Sequence, residues 1–222
     1  VDCPSASWST GTSSYSHYRR IQAVNFGITG RSYNHAVTGA DMGDLYGQVQ
    51  GVIGRRAEYV TILMGANDVC ASSEGAMTDV NVFRDQFAAA LSSLTAGLPS
   101  SRVLVSSIPD IYQLFSLYRY DLGANSVWAI AGICQSMLAW PFSNLPGDVA
   151  RRARVRQRNI DYNTQLAQVC AAFVQCRFDG NAVFNTAFVR SDVTTRDYFH
   201  PSVNGQAKLA AVTWSVAAGF VG

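Results

Sequence analysis

Met42, Leu45, Val49, Val52 and Ile53 recur at intervals of three and four residues, the spacing that gathers side chains into one stripe of a helix. The same period predicts a helix through Val82, Phe83, Phe87, Leu91 and Leu94, capped by Asp79 and stopped at Gly97 and Pro99. A longer helix is expected from about Asp148 to Phe173, with Val155, Tyr162, Leu166, Val169 and Phe173 on its apolar face. Tyr18 to Asn25 fits a short helix ended by Gly27, and Val203 to Val221 a closing one. Tyr59–Met64 (YVTILM) and Arg102–Ser107 (RVLVSS) are patterned differently. They are short, nearly continuous apolar runs of β-formers, as strands buried on both faces of a parallel sheet must be. Ser32–Val37, ending at Thr38-Gly39, and Arg177–Phe184 are expected to be extended as well, and residues 1–14 to be loop.

Alternation of strand, loop and helix predicts an α/β protein: three layers, α/β/α, around a mostly parallel sheet. No repeat or linker divides the chain, so residues 1–222 are read as one domain. Within it, residues 111–147 are apolar, broken by Gly123 and Gly132 and closed by a loop with Pro141, Pro146 and Gly147. Two helices or a helix with a break are expected over 111–139, as an insertion that could serve as a lid or substrate wall, or as ordinary core.

Hydrophobic residues make up 48% of the chain, which excludes a disordered polymer. Charged residues are only 14%, against about 25% in soluble domains. A net charge of +2 gives no electrostatic footprint for nucleic acid, and no such partner is expected. The apolar stretch Leu209–Val221 is interrupted by Thr213 and Ser215 and falls short of the about 20 residues of a membrane span. A mostly uncharged polar surface and five cysteines suggest a secreted protein. Cys170 and Cys176 are expected to pair first and Cys70 with Cys134 second, although sequence does not fix connectivity; Cys3 is left over. With no CxxC and three histidines, neither metal nor cofactor is expected. Arg151, Arg152, Arg154, Arg156 and Arg158 read as a solvated helix face, with contact to an anionic surface such as phospholipid headgroups as the alternative.

His200 follows Asp197 by three residues in a polar loop. A carboxylate so placed can turn back, accept the imidazole Nδ1–H and leave Nε2 as a general base. Asn67, in Gly65-Ala66-Asn67-Asp68 directly after a buried strand, lies where open parallel sheets bind ligands, and its amide could donate to a developing anion. Gly39 ends another expected strand, where a bare backbone N–H can approach a substrate. A turn-stabilising Asn and a surface His–Asp pair would look the same. Asp68 could brace its turn, Asp110 reads as a cap, and His17 and His35 as structural or exposed. No GxSxG is present, and Ser72, Ser73, Ser106 and Ser107 lie on no evident strand-to-helix elbow.

Asn34-His35-Ala36-Val37-Thr38-Gly39-Ala40, Gly65-Ala66-Asn67-Asp68 and Asp197-Tyr198-Phe199-His200-Pro201 together resemble the second, third and last blocks of the SGNH, or GDSL-type, serine esterase and lipase family, in its secreted actinobacterial branch. Ile108-Pro109-Asp110 is similar to a recurring strand end of those enzymes. The resemblance implies a flavodoxin-like strand order, Gly39 and Asn67 as oxyanion donors, Asp197 as the residue that orients, and His200 as the base. It implies acyl transfer from a small-molecule or lipid ester, by an esterase, lipase or phospholipase. A carbohydrate acetylesterase and a non-catalytic binding protein are the alternatives. It also implies that the family's first block, Gly-Asp-Ser on the first central strand, is absent from this chain, leaving the nucleophile to an N-terminal fragment upstream of residue 1.

Overall fold

The computed structural model describes residues 3–221; Val1 and Asp2 of the expected loop, and Gly222, lie outside the described residues. After an N-terminal loop come α1 (His17–Val24), α2 (Leu45–Gly54), β1 (Tyr59–Ile62), a single turn α3 (Ala66–Val69) and α4 (Val80–Gly97). They are followed by β2 (Arg102–Val105), α5 (Ile111–Tyr118), α6 (Leu122–Ala131), α7 (Gln135–Leu138), the long α8 (Pro146–Ala171), β3 (Cys176–Phe178) and α9 (Val203–Val221). Among the described residues the sheet has three strands in the order β1-β2-β3, all parallel, with Tyr59 opposite Arg102 and Val103 opposite Cys176.

Alternation along the strands separates the two outer layers. Val60, Ile62, Val103 and Val105 join one buried cluster with Phe83, Phe87 and Leu91 of α4, Val155, Tyr162 and Leu166 of α8, and Leu45 and Val49 of α2. On the opposite face α9 packs on β2, and His17 of α1 reaches both Tyr59 of β1 and Thr213 of α9. The result is the expected three-layer α/β/α arrangement around a small, open, all-parallel sheet, consistent with an SGNH or flavodoxin-like topology.

Four local expectations are corrected. Ser32–Val37 forms no strand: it has no ladder partner among the described residues, and the Asn34 side chain instead takes the Ala36 N–H at 2.9 Å. Arg177–Phe184 stays in the sheet only to Phe178, because Gly180 and Asn181 turn at φ +67° and +66° and Asp179 accepts the Asn181 and Val183 N–H groups. Residues 111–139 hold three helices rather than two or a single broken one, separated by the Asp121 cap and by Gly132 at φ +64°, and Pro146 and Gly147 of the expected loop already begin α8. The arginines of α8 form a solvated face only in part: Arg154 and Arg156 are exposed, the others are not. Arg152 is 2% exposed, lies over the Phe115 ring and donates to the Ser143 carbonyl. Arg151 donates to the carbonyls of Gln135, Ser136 and Ala139, Arg158 to that of Thr78, while Arg154 and Arg156 pair with Glu74 and Asp110. A guanidinium has five donors, and here they tie α8 to the loops around it.

Disulfides join Cys70 to Cys134 and Cys170 to Cys176, the expected pairs, and Cys3 is a free, exposed thiol. Among the described residues no helix is long and apolar enough to cross a membrane.

Candidate active site

β1 leaves the sheet through Gly65, at φ +111°. A Cβ there would stand 2.5 Å from Ile108 Cδ1 and 3.0 Å from Phe83 Cε2, so both conformation and space require glycine. The tight exit starts α3 at once and sets Asn67 at the end of the sheet. Asn67 Nδ2 donates to the Ala40 carbonyl at 2.7 Å. An amide has two N–H groups, and the other has no protein partner among the described residues. Beside it, Asp68 is buried and accepts from the Met42 N–H at 2.9 Å and the Thr78 hydroxyl at 2.7 Å. Burial raises the Asp68 pKa, against the lowering effect of those two hydrogen bonds. The Asn67 turn is thereby locked to the 39–42 loop. In that loop Gly39 has φ +80° with open space around its Cα, so its glycine is required by conformation rather than by packing.

The second component is the loop between Asp192 and α9, closed by a bridge between Val193 and Pro201 and by the bond from Thr194 N–H to the His200 carbonyl at 2.9 Å. Asp197 Oδ1 accepts the N–H groups of Phe199 and His200 at 2.9 and 3.0 Å. Its Oδ2 lies 2.8 Å from His200 Nδ1, the geometry in which Nδ1–H donates to the carboxylate and Nε2 is left facing outward. Partial burial raises the Asp197 pKa, but the bonds from His200 N–H, the His200 ring and Phe199 N–H outweigh it and hold the carboxyl below its usual range.

Gly39, Asn67 and His200 line one cavity of about 510 Å³, with Asp197 behind His200. Three loops distant in sequence thus bring their polar groups to one opening at the sheet's carboxyl end. One wall is apolar, built from Ile111, Leu114 and Leu117 of α5 with Phe188 and Phe199. Asp110 is on the rim, capping α5 through the Tyr112 N–H and paired with Arg156 at 2.7 Å. Of the sequence candidates, His17 and His35 are elsewhere: His17 is buried between α1 and α9, and His35 packs on Gly51 of α2. Sequence reading missed Phe188 and the N-terminal contributors. Cys3, Pro4, Ser7 and Trp8 line the cavity too, and Ser7 Oγ accepts the Ser9 and Thr10 N–H groups. Irregular loop sequence of this kind carries no periodicity from which such a wall could be read.

The three-layer α/β/α fold, with its small open parallel sheet, is consistent with an SGNH-type topology. The chain belongs to the GDSL-like lipase/acylhydrolase family, whose model matches residues 2–212. No curated protein and no solved structure matches the chain. The family match takes in the N-terminal region, which corrects the expectation that the chain joins the family pattern only after its first block and relies on a separate Gly-Asp-Ser fragment. The packing agrees: the Trp8 N–H donates to Gln206 of α9 at 2.9 Å, and Ser9 Oγ meets Thr61 of β1 at 2.7 Å. The N-terminal segment is therefore built into the domain and its cavity.

Proposed function

We propose that the protein is a secreted carboxylic ester hydrolase that works by acyl transfer, with His200 as general base, Asp197 holding its tautomer, and Asn67 Nδ2–H with Gly39 N–H donating to the oxyanion. The observation that supports this best is the convergence of an Asp-oriented imidazole, a side-chain amide and a left-handed glycine on one cavity. In this reading His200 Nε2 takes the proton of a serine hydroxyl as that oxygen bonds to the ester carbonyl carbon, and the carbonyl oxygen, gaining charge, draws on the two donors; the serine is the residue that the probe below is to map. The imidazolium then returns its proton to the leaving alcohol, and water repeats the cycle on the acyl-enzyme.

The apolar wall of Ile111, Leu114, Leu117, Phe188 and Phe199 favours an esterase or lipase acting on an aliphatic acyl group over a carbohydrate acetylesterase, since an acetyl group needs no such length of wall. For a lipid substrate, contact with the lipid surface is assigned to the exposed Leu122, Trp140 and Leu145, because the arginines of α8 are engaged within the protein. The test is a p-nitrophenyl ester series of increasing acyl length, run beside a fluorophosphonate probe with peptide mapping. Hydrolysis rising beyond acetate, and one stoichiometric serine adduct that disappears in His200→Ala, are expected. A folded protein that hydrolyses no ester and takes up no probe would overturn the proposal in favour of a binding protein.

A further inference from the structure

The loop that presents Asp197 and His200 contains a conformational anomaly. Tyr198, between them, stands at φ +55°, the left-handed region that bulky aromatic residues rarely adopt. The bonds from Phe199 and His200 N–H to Asp197 close the loop on itself, but none of them acts on the Tyr198 carbonyl. That carbonyl accepts a hydrogen bond from the indole Nε1–H of Trp128 at 3.1 Å.

Trp128 belongs to α6 and is 1% exposed. Tyr118, at the end of α5, packs edge-on against both Trp128 and Tyr198, with centroids 6.3 and 5.5 Å away, and its hydroxyl donates to the Arg190 carbonyl at 3.0 Å. The same stretch of chain is fixed at its other end to the Asn67 turn. Cys134 is bonded to Cys70, which directly follows α3. Ser136 gives its N–H to the Ala71 carbonyl at 3.0 Å and its hydroxyl to the Val69 carbonyl at 2.6 Å. Gln135 Nε2 donates to the Trp128 carbonyl at 3.0 Å, joining the two attachments.

We propose that Trp128 is a positioning residue: its indole N–H locks the left-handed Tyr198 peptide and so sets the Asp197–His200 pair in register with Asn67. The role rests on the ester-hydrolase reading of the site. Trp128 does not line the cavity and touches no substrate; it acts through the Tyr198 carbonyl. Residues 118–136 then form a fixed frame between the two halves of the site rather than a lid that swings over it.

Trp128→Phe keeps a buried ring and removes the donor. Its kcat on a p-nitrophenyl ester is expected to fall roughly 10- to 100-fold, the scale on which small displacements act, with KM within about twofold. The His200 Nδ1–H resonance, followed by NMR, is expected to move upfield as the carboxylate drifts from the imidazole and their hydrogen bond lengthens. Should Trp128→Phe fail to fold, β-(3-benzothienyl)alanine at position 128 retains the indole shape, replaces the N–H by sulfur and should give the same two changes. An unchanged kcat together with an unchanged His200 Nδ1–H resonance would overturn the positioning role. A wild-type protein that hydrolyses no ester would instead overturn the hydrolase reading. The NMR spectrum of the variant would still decide the role of Trp128, a moved His200 Nδ1–H resonance supporting it and an unmoved one removing it.

Discussion

Asn67 has two tasks in the proposed reaction, and its two amide N–H groups divide them. One is held by the Ala40 carbonyl at 2.7 Å, which fixes the side chain before any substrate arrives; the other has no protein partner among the described residues. A donor fixed in advance loses no orientation when charge develops, which is why such groups act on the transition state more than on the bound ester. Asn67→Ala is therefore expected to lower kcat by about 100- to 1,000-fold, with little change in KM. Steady-state kinetics on one p-nitrophenyl ester checks this, and an unchanged turnover would remove Asn67 from the mechanism. At this scale the sequence was informative where the chemistry is local. Asp197 and His200 are three residues apart, so their hydrogen bond is a property of a single loop. Trp128 could not have been found the same way: its partner is 70 positions distant, and nothing in an apolar helix marks one indole as a donor to a remote carbonyl.

Among the elements, those with strong periodic signals were legible and those shaped by particular hydrogen bonds were not. α2, α4 and α8 follow their apolar stripes, and β1 and β2 their buried runs. Ser32–Val37 has a strand's composition but no ladder partner among the described residues, and Arg151, Arg152 and Arg158 look like a solvated face until the loops folded over that helix supply carbonyls. The short exit from β1 is the element on which the site depends most. Gly65→Ala must carry a Cβ into Ile108 and Phe83 while remaining at φ +111°. Overpacking and an unfavourable backbone together are expected to remove about 2–4 kcal/mol of stability and to lower esterase activity by moving Asn67. Gly132→Ala is the control: its φ is +64°, but nothing lies within 4 Å of the added carbon, so only the conformational part, about 1 kcal/mol, should be lost. Urea unfolding of the two variants separates the contributions, and equal losses would show that close packing at Gly65 is unimportant.

The helical layer on the α9 face is tied to the sheet by a histidine that takes no part in the proposed reaction. His17 of α1 is buried between Tyr59 of β1 and Thr213 of α9, with Trp8 and Trp214 edge-on to its ring. Thr213 donates its own hydroxyl to the Leu209 carbonyl, so it accepts from His17 Nε2–H at 2.9 Å, while Nδ1 accepts from the Tyr59 hydroxyl. The network is complete only for neutral imidazole. Burial is the main reason the His17 pKa is lowered to about 4, with Arg20 adding to it and the Ala210 carbonyl opposing. In the unfolded chain a histidine titrates near 6.5. Above that pH the ring is neutral in both states and contributes no pH dependence. As pH falls below it, the unfolded chain takes up a proton that the folded one refuses, and stability declines until about pH 4, where folded His17 is itself protonated. A shift of this size corresponds to about 3 kcal/mol across the window. His17→Gln should be less stable at pH 7, because the packed ring is lost, yet its unfolding free energy should fall less than that of wild type between pH 6.5 and 4. Urea midpoints at pH 7, 5.5 and 4.5 measure the difference, and parallel slopes for the two proteins would show that His17 does not carry the acid sensitivity. The coupling has a consequence for the proposed site as well. Trp8, packed on His17 at the start of α1, lines the cavity, so the acid sensitivity carried by His17 is expected to reach the N-terminal wall as well.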